Sequence, residues 1–114
     1  MNAGALDAVE RILAASDDAD EALRAVVREL VAGGCDWAGI LFVEEGQLVL
    51  GPSAGSERPQ ARVQTPVVYR GDRVAELVAD GCDDRAFLSG VADRIAAHCL
   101  VGWDTGGVRW DPAG

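Results

Sequence analysis

Three cysteines, one histidine and a short glycine-proline segment are the groups in this chain whose types suit covalent or phosphate chemistry. Their spacing argues against most of it. Cys35, Cys82 and Cys99 are odd in number and far apart, with no C-x-x-C pair, so neither a disulfide framework nor a zinc site is indicated. Buried free thiols are the expectation, because a free cysteine packs as a small apolar residue. Cys82 follows Gly81 at an expected strand end, which keeps a redox role open if the thiol has a lowered pKa and access to solvent. His98 falls near the C-terminal end of an expected helix, where the dipole favours a protonated imidazole in a surface or capping role over a ligand or base. No serine or cysteine near it in sequence has the context of an activated nucleophile. Gly51-Pro-Ser-Ala-Gly55 lacks the Gly-Lys-Ser/Thr ending of a phosphate loop and leads into no helix, so it reads as a turn. Trp37, Phe42 and Tyr69 could line a pocket where a sheet meets a loop, but large aromatics more commonly fill the core of a small domain.

Composition limits the partners. Nineteen acidic residues stand against ten arginines with no lysine, for a net charge of −9. Such a surface repels phosphate backbones and anionic lipid, so neither nucleic acid nor membrane is an expected partner. No apolar run approaches the roughly 20 residues needed to span a bilayer, and the first residues lack a basic flank and an apolar core. A cytoplasmic protein without a cofactor is the expectation. With 114 residues, 49% of them hydrophobic, the chain can build one domain with a real core.

Periodicity places the elements that must carry these groups. Leu6, Val9, Ile12 and Leu13 predict a helix over 3–15. A second helix, over 18–33, has Asp17 or Asp18 as a cap, Glu21 three residues after Asp18, and an apolar stripe of Leu23, Val26, Val27, Leu30 and Val31. Gly33-Gly34 stops it. Strands are expected over 36–43 and 47–51, joined at Glu44-Glu-Gly46, then a loop from Pro52 to Pro59. Further strands over 61–69 and 73–80 turn at Arg70-Gly-Asp72, and Pro66 marks an edge or a bulge. A last helix over 84–103 carries Phe87, Leu88, Val91, Ile95 and Cys99 on one face, and residues 104–114 form a tail. The order helix, helix, hairpin, hairpin, helix predicts an α+β domain spanning 1–114, an antiparallel sheet of about four strands with the helices on one face.

Trp37-Ala-Gly39 with Leu50-Gly-Pro52, Thr65-Pro-Val-Val68 with Gly71, Leu77 to Asp80, and Asp84-Arg-Ala-Phe87 opening a long helix together resemble the GAF domain over roughly residues 20 to 104. Within it, the free methionine-(R)-sulfoxide reductase type is most similar, with a shortened middle. The resemblance implies a small-molecule pocket between sheet and loops, for which Trp37, Tyr69 and Asp80 are the candidate ligand-binding residues, and a homodimer packed through the terminal helices. Ala14, Ala15, Ala92, Ala96 and Ala97 would permit close helix contact there. The redox cysteines that the reductase type places between the Gly-Pro turn and the Val-Pro strand have no counterpart, since Gly51 to Gln64 contains no cysteine. The family's glutamate falls on Arg62, the first of its strand-end aspartates on Val78, and its tyrosine on Leu41. The resemblance therefore implies a non-enzymatic module for dimerisation, protein interaction or ligand sensing. A diverged thiol-based reductase using Cys82 or Cys35, and a roadblock-like or profilin-like adaptor, are the alternatives.

Overall fold

A computed structural model describes the backbone of residues 3–102 and the side chains of residues 4–99. The expected tail over 104–114 lies outside the described residues. Three helices, α1 (Ala3–Ala15), α2 (Ala19–Ala32) and α3 (Arg85–Gly102), accompany four strands, β1 (Trp37–Glu44), β2 (Gln47–Gly55), β3 (Arg62–Tyr69) and β4 (Asp72–Asp80). The sheet is antiparallel throughout, in the order β2-β1-β4-β3. The first strand is thus central, between β2 and β4.

Local chemistry accounts for the element ends. The Asp18 carboxylate accepts hydrogen bonds from the backbone N–H groups of Asp20 and Glu21 at 3.0 and 3.3 Å, satisfying two of the unpaired donors at the start of α2. Gly34, at φ +127°, ends that helix, and the N–H of Cys35 reaches back to the carbonyl of Leu30. Asp84 caps α3 through the N–H of Phe87 at 3.0 Å. Both hairpins turn on residue pairs with positive φ, Glu45-Gly46 and Arg70-Gly71, the primed geometry whose twist matches that of the flanking strands.

The expected loop from Pro52 to Pro59 is corrected at its start, because β2 continues to Gly55. The ladder from β1 to β2 shifts register between Gly39 and Leu41, where Gly51 and Pro52 together oppose Ile40. A bulge on an edge strand leaves the proline without a ladder bond to donate, so it need not end the strand. A single turn of 3-10 helix over Pro59–Ala61 completes the connection to β3.

All three helices lie on one side. The inward stripe of α2 (Leu23, Val26, Val27, Leu30) and that of α3 (Phe87, Leu88, Val91, Ile95, Cys99) pack on Ala38, Ile40, Phe42, Val63, Val67, Ala75, Leu77 and Ala79 of the sheet. Leu23, Leu30, Ile40, Leu77, Leu88 and Ile95 are fully buried, each contributing about 1.5–3 kcal/mol relative to exposure. Helix α1 covers α2 and α3 with Val9 fully buried. Strand alternation sends Trp37, Gly39, Leu41, Glu76, Val78, Asp80 and Arg62 to the opposite face, which no helix covers.

Candidate functional site

One cluster of polar groups on the open face lies at the end of the sheet where Trp37, Asp80 and Arg62 are in register. Trp37 and Arg62 both lie opposite Asp80 in the strand registers, so three consecutive strands bring an indole, a carboxylate and a guanidinium to one place. Asp80 has no exposed surface, although it carries a charge. Three donors compensate it: Arg62 Nε to Oδ1 at 2.7 Å, Arg62 Nη2 to Oδ2 at 2.8 Å, and the backbone N–H of Arg58 to Oδ2 at 2.7 Å. The paired Arg62 bonds hold the Asp80 carboxyl below the usual carboxylate range. Burial opposes them, and the Arg58 N–H adds to them. Arg62 is in turn raised above its ordinary value, by Asp80 first and then by Glu57, whose carboxylate lies 3.0 Å away.

The guanidinium of Arg62 also sits over the Trp37 ring, 5.0 Å from its centroid. The indole itself lies across Gly39, where an added Cβ would fall 2.4 Å from the ring. Trp37 therefore closes the sheet face, and Arg62 closes the aspartate. The other candidate, Tyr69, is at the far end of β3, seven residues from Arg62 and so roughly 20 Å away along the strand. There it packs against the helix-side core, with Arg70 over its ring at 5.3 Å. The structure brings Trp37 and Asp80 together and leaves Tyr69 apart. Phe42, the third aromatic, is buried in that core.

A second layer surrounds the pair. Arg58 Nη1 reaches Asp36 Oδ2 at 2.7 Å, and the N–H of Asp36 donates to the carbonyl of Asp80 at 2.8 Å. Gly81 adopts φ +82°, a conformation that L side chains rarely take, and a Cβ there would also displace the Asp36 carboxylate. Beside this network a cleft of about 450 Å³ opens between Arg58, Gln60, Arg62, Gly81, Cys82 and Asp83.

Cysteine chemistry departs from the expectation of three free thiols. Cys35 and Cys82 are joined in a disulfide, with their Cα atoms 4.9 Å apart, and only Cys99 is a free buried thiol among the described residues. Burial pushes the Cys99 thiol up to about 12, so it is inert at neutral pH. The bridge arises from strand pairing: Cys35 and Cys82 each lie two residues outside the Trp37–Asp80 register pair, one before β1 and one after β4. His98 is half-buried between α1 and α3 near Leu13, Ala14 and Arg94, and its Nδ1 has no hydrogen-bond partner among the described residues. Among the described residues, no group of three or more His, Cys, Asp or Glu residues could hold a metal ion and no helix is long and apolar enough to cross a membrane.

The four-stranded sheet with helices on one face and a polar centre on the other is a GAF-like fold. A GAF domain from a phosphoenolpyruvate-protein phosphotransferase of Coxiella burnetii superposes with a TM-score of 0.75, covering 92% of this chain and 96% of that one at 15% identity. Free methionine-R-sulfoxide reductase from Neisseria meningitidis, solved with its substrate, gives 0.69 over 85% of this chain and 87% of its own at 18% identity. The type II enzyme from Thermoplasma acidophilum gives 0.61 over 71% and 92% at 19% identity. At these identities the likeness shows the fold. No family model matches the chain, and no curated protein matches it.

Proposed function

We propose that this chain is a non-enzymatic GAF-like module that acts by binding a small ligand, a protein partner or a second copy of itself. The carrying observation is the Arg62–Asp80 pair beside Trp37. A buried carboxylate held by two guanidinium bonds and a backbone N–H is shut off from an incoming substrate and, kept below the usual carboxylate range, has no proton to exchange near neutral pH. Binding surface remains beside it, in the cleft at Arg58 and Gln60 and on the exposed Leu48 and Leu50 of the open face.

The experiment is a pair of measurements on the purified chain. Incubation with methionine sulfoxide and a thiol reductant should give no turnover, and the mass in solution at tens of micromolar should be that of a symmetric dimer. A monomer defeats the self-association arm. Because Ala92 and Ala96 are buried within the subunit, a helical interface would have to use the exposed Ala14, Ala15 and Ala97 instead. The second reading is a diverged thiol reductase, and the Cys35–Cys82 bridge is the observation that favours it. Sulfoxide turnover that is lost in Cys82→Ser would establish that reading; no turnover, or full activity in the variant, removes it.

A further inference from the structure

The two ends of the disulfide stand in different surroundings. Cys35 is 3% exposed and enclosed by the core, whereas Cys82 is half-buried and forms part of the wall of the 450 Å³ cleft. Of the two cysteines, Cys82 lines that cleft and Cys35 does not. The charges around it are also unequal. Arg62 is compensated by Asp80 and Glu57, and Arg58 by Asp36, while Asp83 makes no ion pair among the described residues. The uncompensated charge of the cleft is therefore negative, on a chain of net charge −9.

We propose that Cys82 is a thiol-modification site, where a small neutral or cationic aminothiol enters the cleft and exchanges with the Cys35–Cys82 disulfide. The thiolate of the small molecule attacks Cys82 Sγ, forming a mixed disulfide there. The Cys82–Cys35 bond breaks, its electron pair leaves on Cys35 Sγ, and that sulfur takes up the proton released when the incoming thiol ionised. A second molecule of the same thiol then attacks the mixed disulfide, leaving Cys82 reduced and the small thiol oxidised to its own disulfide. This exchange is stoichiometric. It requires no sulfoxide site, so it stands whether or not the chain reduces methionine sulfoxide.

The site lies at a structural junction. Bridge and backbone bond together tie the residues just before β1 to those just after β4, through the disulfide and through the Asp36 N–H on the Asp80 carbonyl. Exchange at Cys82 cuts the covalent tie directly behind the Arg58–Asp36 and Arg62–Asp80 pairs. Occupancy of the cleft by a thiol and the integrity of the polar centre are thus coupled.

The test uses the oxidised full chain in low-salt native buffer with three thiols at equal thiolate concentration, cationic cysteamine, neutral 2-mercaptoethanol and anionic glutathione, each rate divided by that thiol's rate on a small uncharged disulfide to remove intrinsic nucleophilicity. After acid quenching and alkylation, peptide mass mapping locates the adduct. The expected result is an adduct on Cys82 and not on Cys35, forming fastest with cysteamine and slowest with glutathione. Coulomb interaction with one charge about 6 Å away in water predicts roughly a threefold rate change for each unit of thiol charge, shrinking in high salt. Asp83→Asn should narrow that spread without moving the adduct. Adducts shared equally by the two cysteines, placed on Cys35, or formed only as fast as the protein globally unfolds in urea would overturn the proposal. If Asp83→Asn fails to fold, the salt dependence of the three wild-type rates gives the same reading.

Discussion

Reduction of the Cys35–Cys82 bridge removes a cross-link between residues 47 apart in sequence. In the chain-entropy picture, opening a loop of that length returns about 14 cal/mol/K to the unfolded chain, or about 4 kcal/mol of lost stability at 25 °C. Native contacts do not substitute for it, because the β1–β4 ladder and the Asp36–Asp80 backbone bond exist only in the folded state. A domain of this size gains about 0.2 kcal/mol/K of entropy at its melting midpoint, so the loss corresponds to a fall in Tm of about 15–20 °C. The assay is thermal unfolding of oxidised wild type with and without a phosphine reductant, with the redox state verified by alkylation and mass. A Cys35→Ser/Cys82→Ser double variant run in both buffers is the control. It should melt where reduced wild type melts and ignore the reductant. A fully reduced wild type whose Tm drops by less than about 3 °C would refute the reasoning, since a loop of this length would then not be restraining the unfolded chain.

Arg62→Ala leaves the wholly buried Asp80 carboxylate with only the Arg58 N–H, and should lower the urea midpoint sharply, with Arg62→Lys intermediate because lysine cannot bind both oxygens in parallel. Because Arg62 depresses the Asp80 pKa in the folded state, this contribution is complete above the unfolded-state value near 4 and drains away as pH falls through the lower native value. Asp80→Asn should therefore flatten the acid limb of a plot of urea midpoint against pH; an unchanged limb contradicts the pairing. Gly39→Ala forces the Trp37 indole off the sheet, costing about 1–3 kcal/mol and altering the near-ultraviolet circular dichroism. Leu50→Ser, at a side chain 52% exposed, should change stability by less than about 0.5 kcal/mol, so any loss of self-association in that variant measures the surface and not the fold.

Helices and turns were legible because their signals are local. Asp18, Gly34 and Asp84 act through bonds within a few residues of themselves, and the stripes of α2 and α3 point to the core without reference to anything distant. Pro52 misled because proline reads as a strand breaker, whereas its effect depends on which neighbour the strand has; on an edge, at a bulge, it is tolerated. The disulfide was missed for a related reason. Sequence separation describes Cys35 and Cys82 as remote, but pairing β1 with β4 across the sheet makes them opposite one another. A signal was present: each cysteine sits just beyond the end of a strand. It becomes readable only with the central strands paired. Likewise Arg62, placed by resemblance where the reductase type has a glutamate, marks a reversal of charge in the sequence, but that this reversal neutralises Asp80 is visible only once the β3–β4 register is known.

The bulge at Gly51 and Pro52 has a consequence for the molecule in a crowded solution. By adding one residue it inverts the parity of β2, so that Leu48 and Leu50 face outward before it, while after it Ser53 does so and Ala54 turns toward the helices. It also divides the free rim of the sheet. A strand from another molecule that tried to zip along β2 would find leucines over only its first four residues, Gln47 to Leu50, and then a kink and a proline that offers no N–H. The leucine-bearing stretch of this edge is thereby limited to a length too short to template an extended fibre.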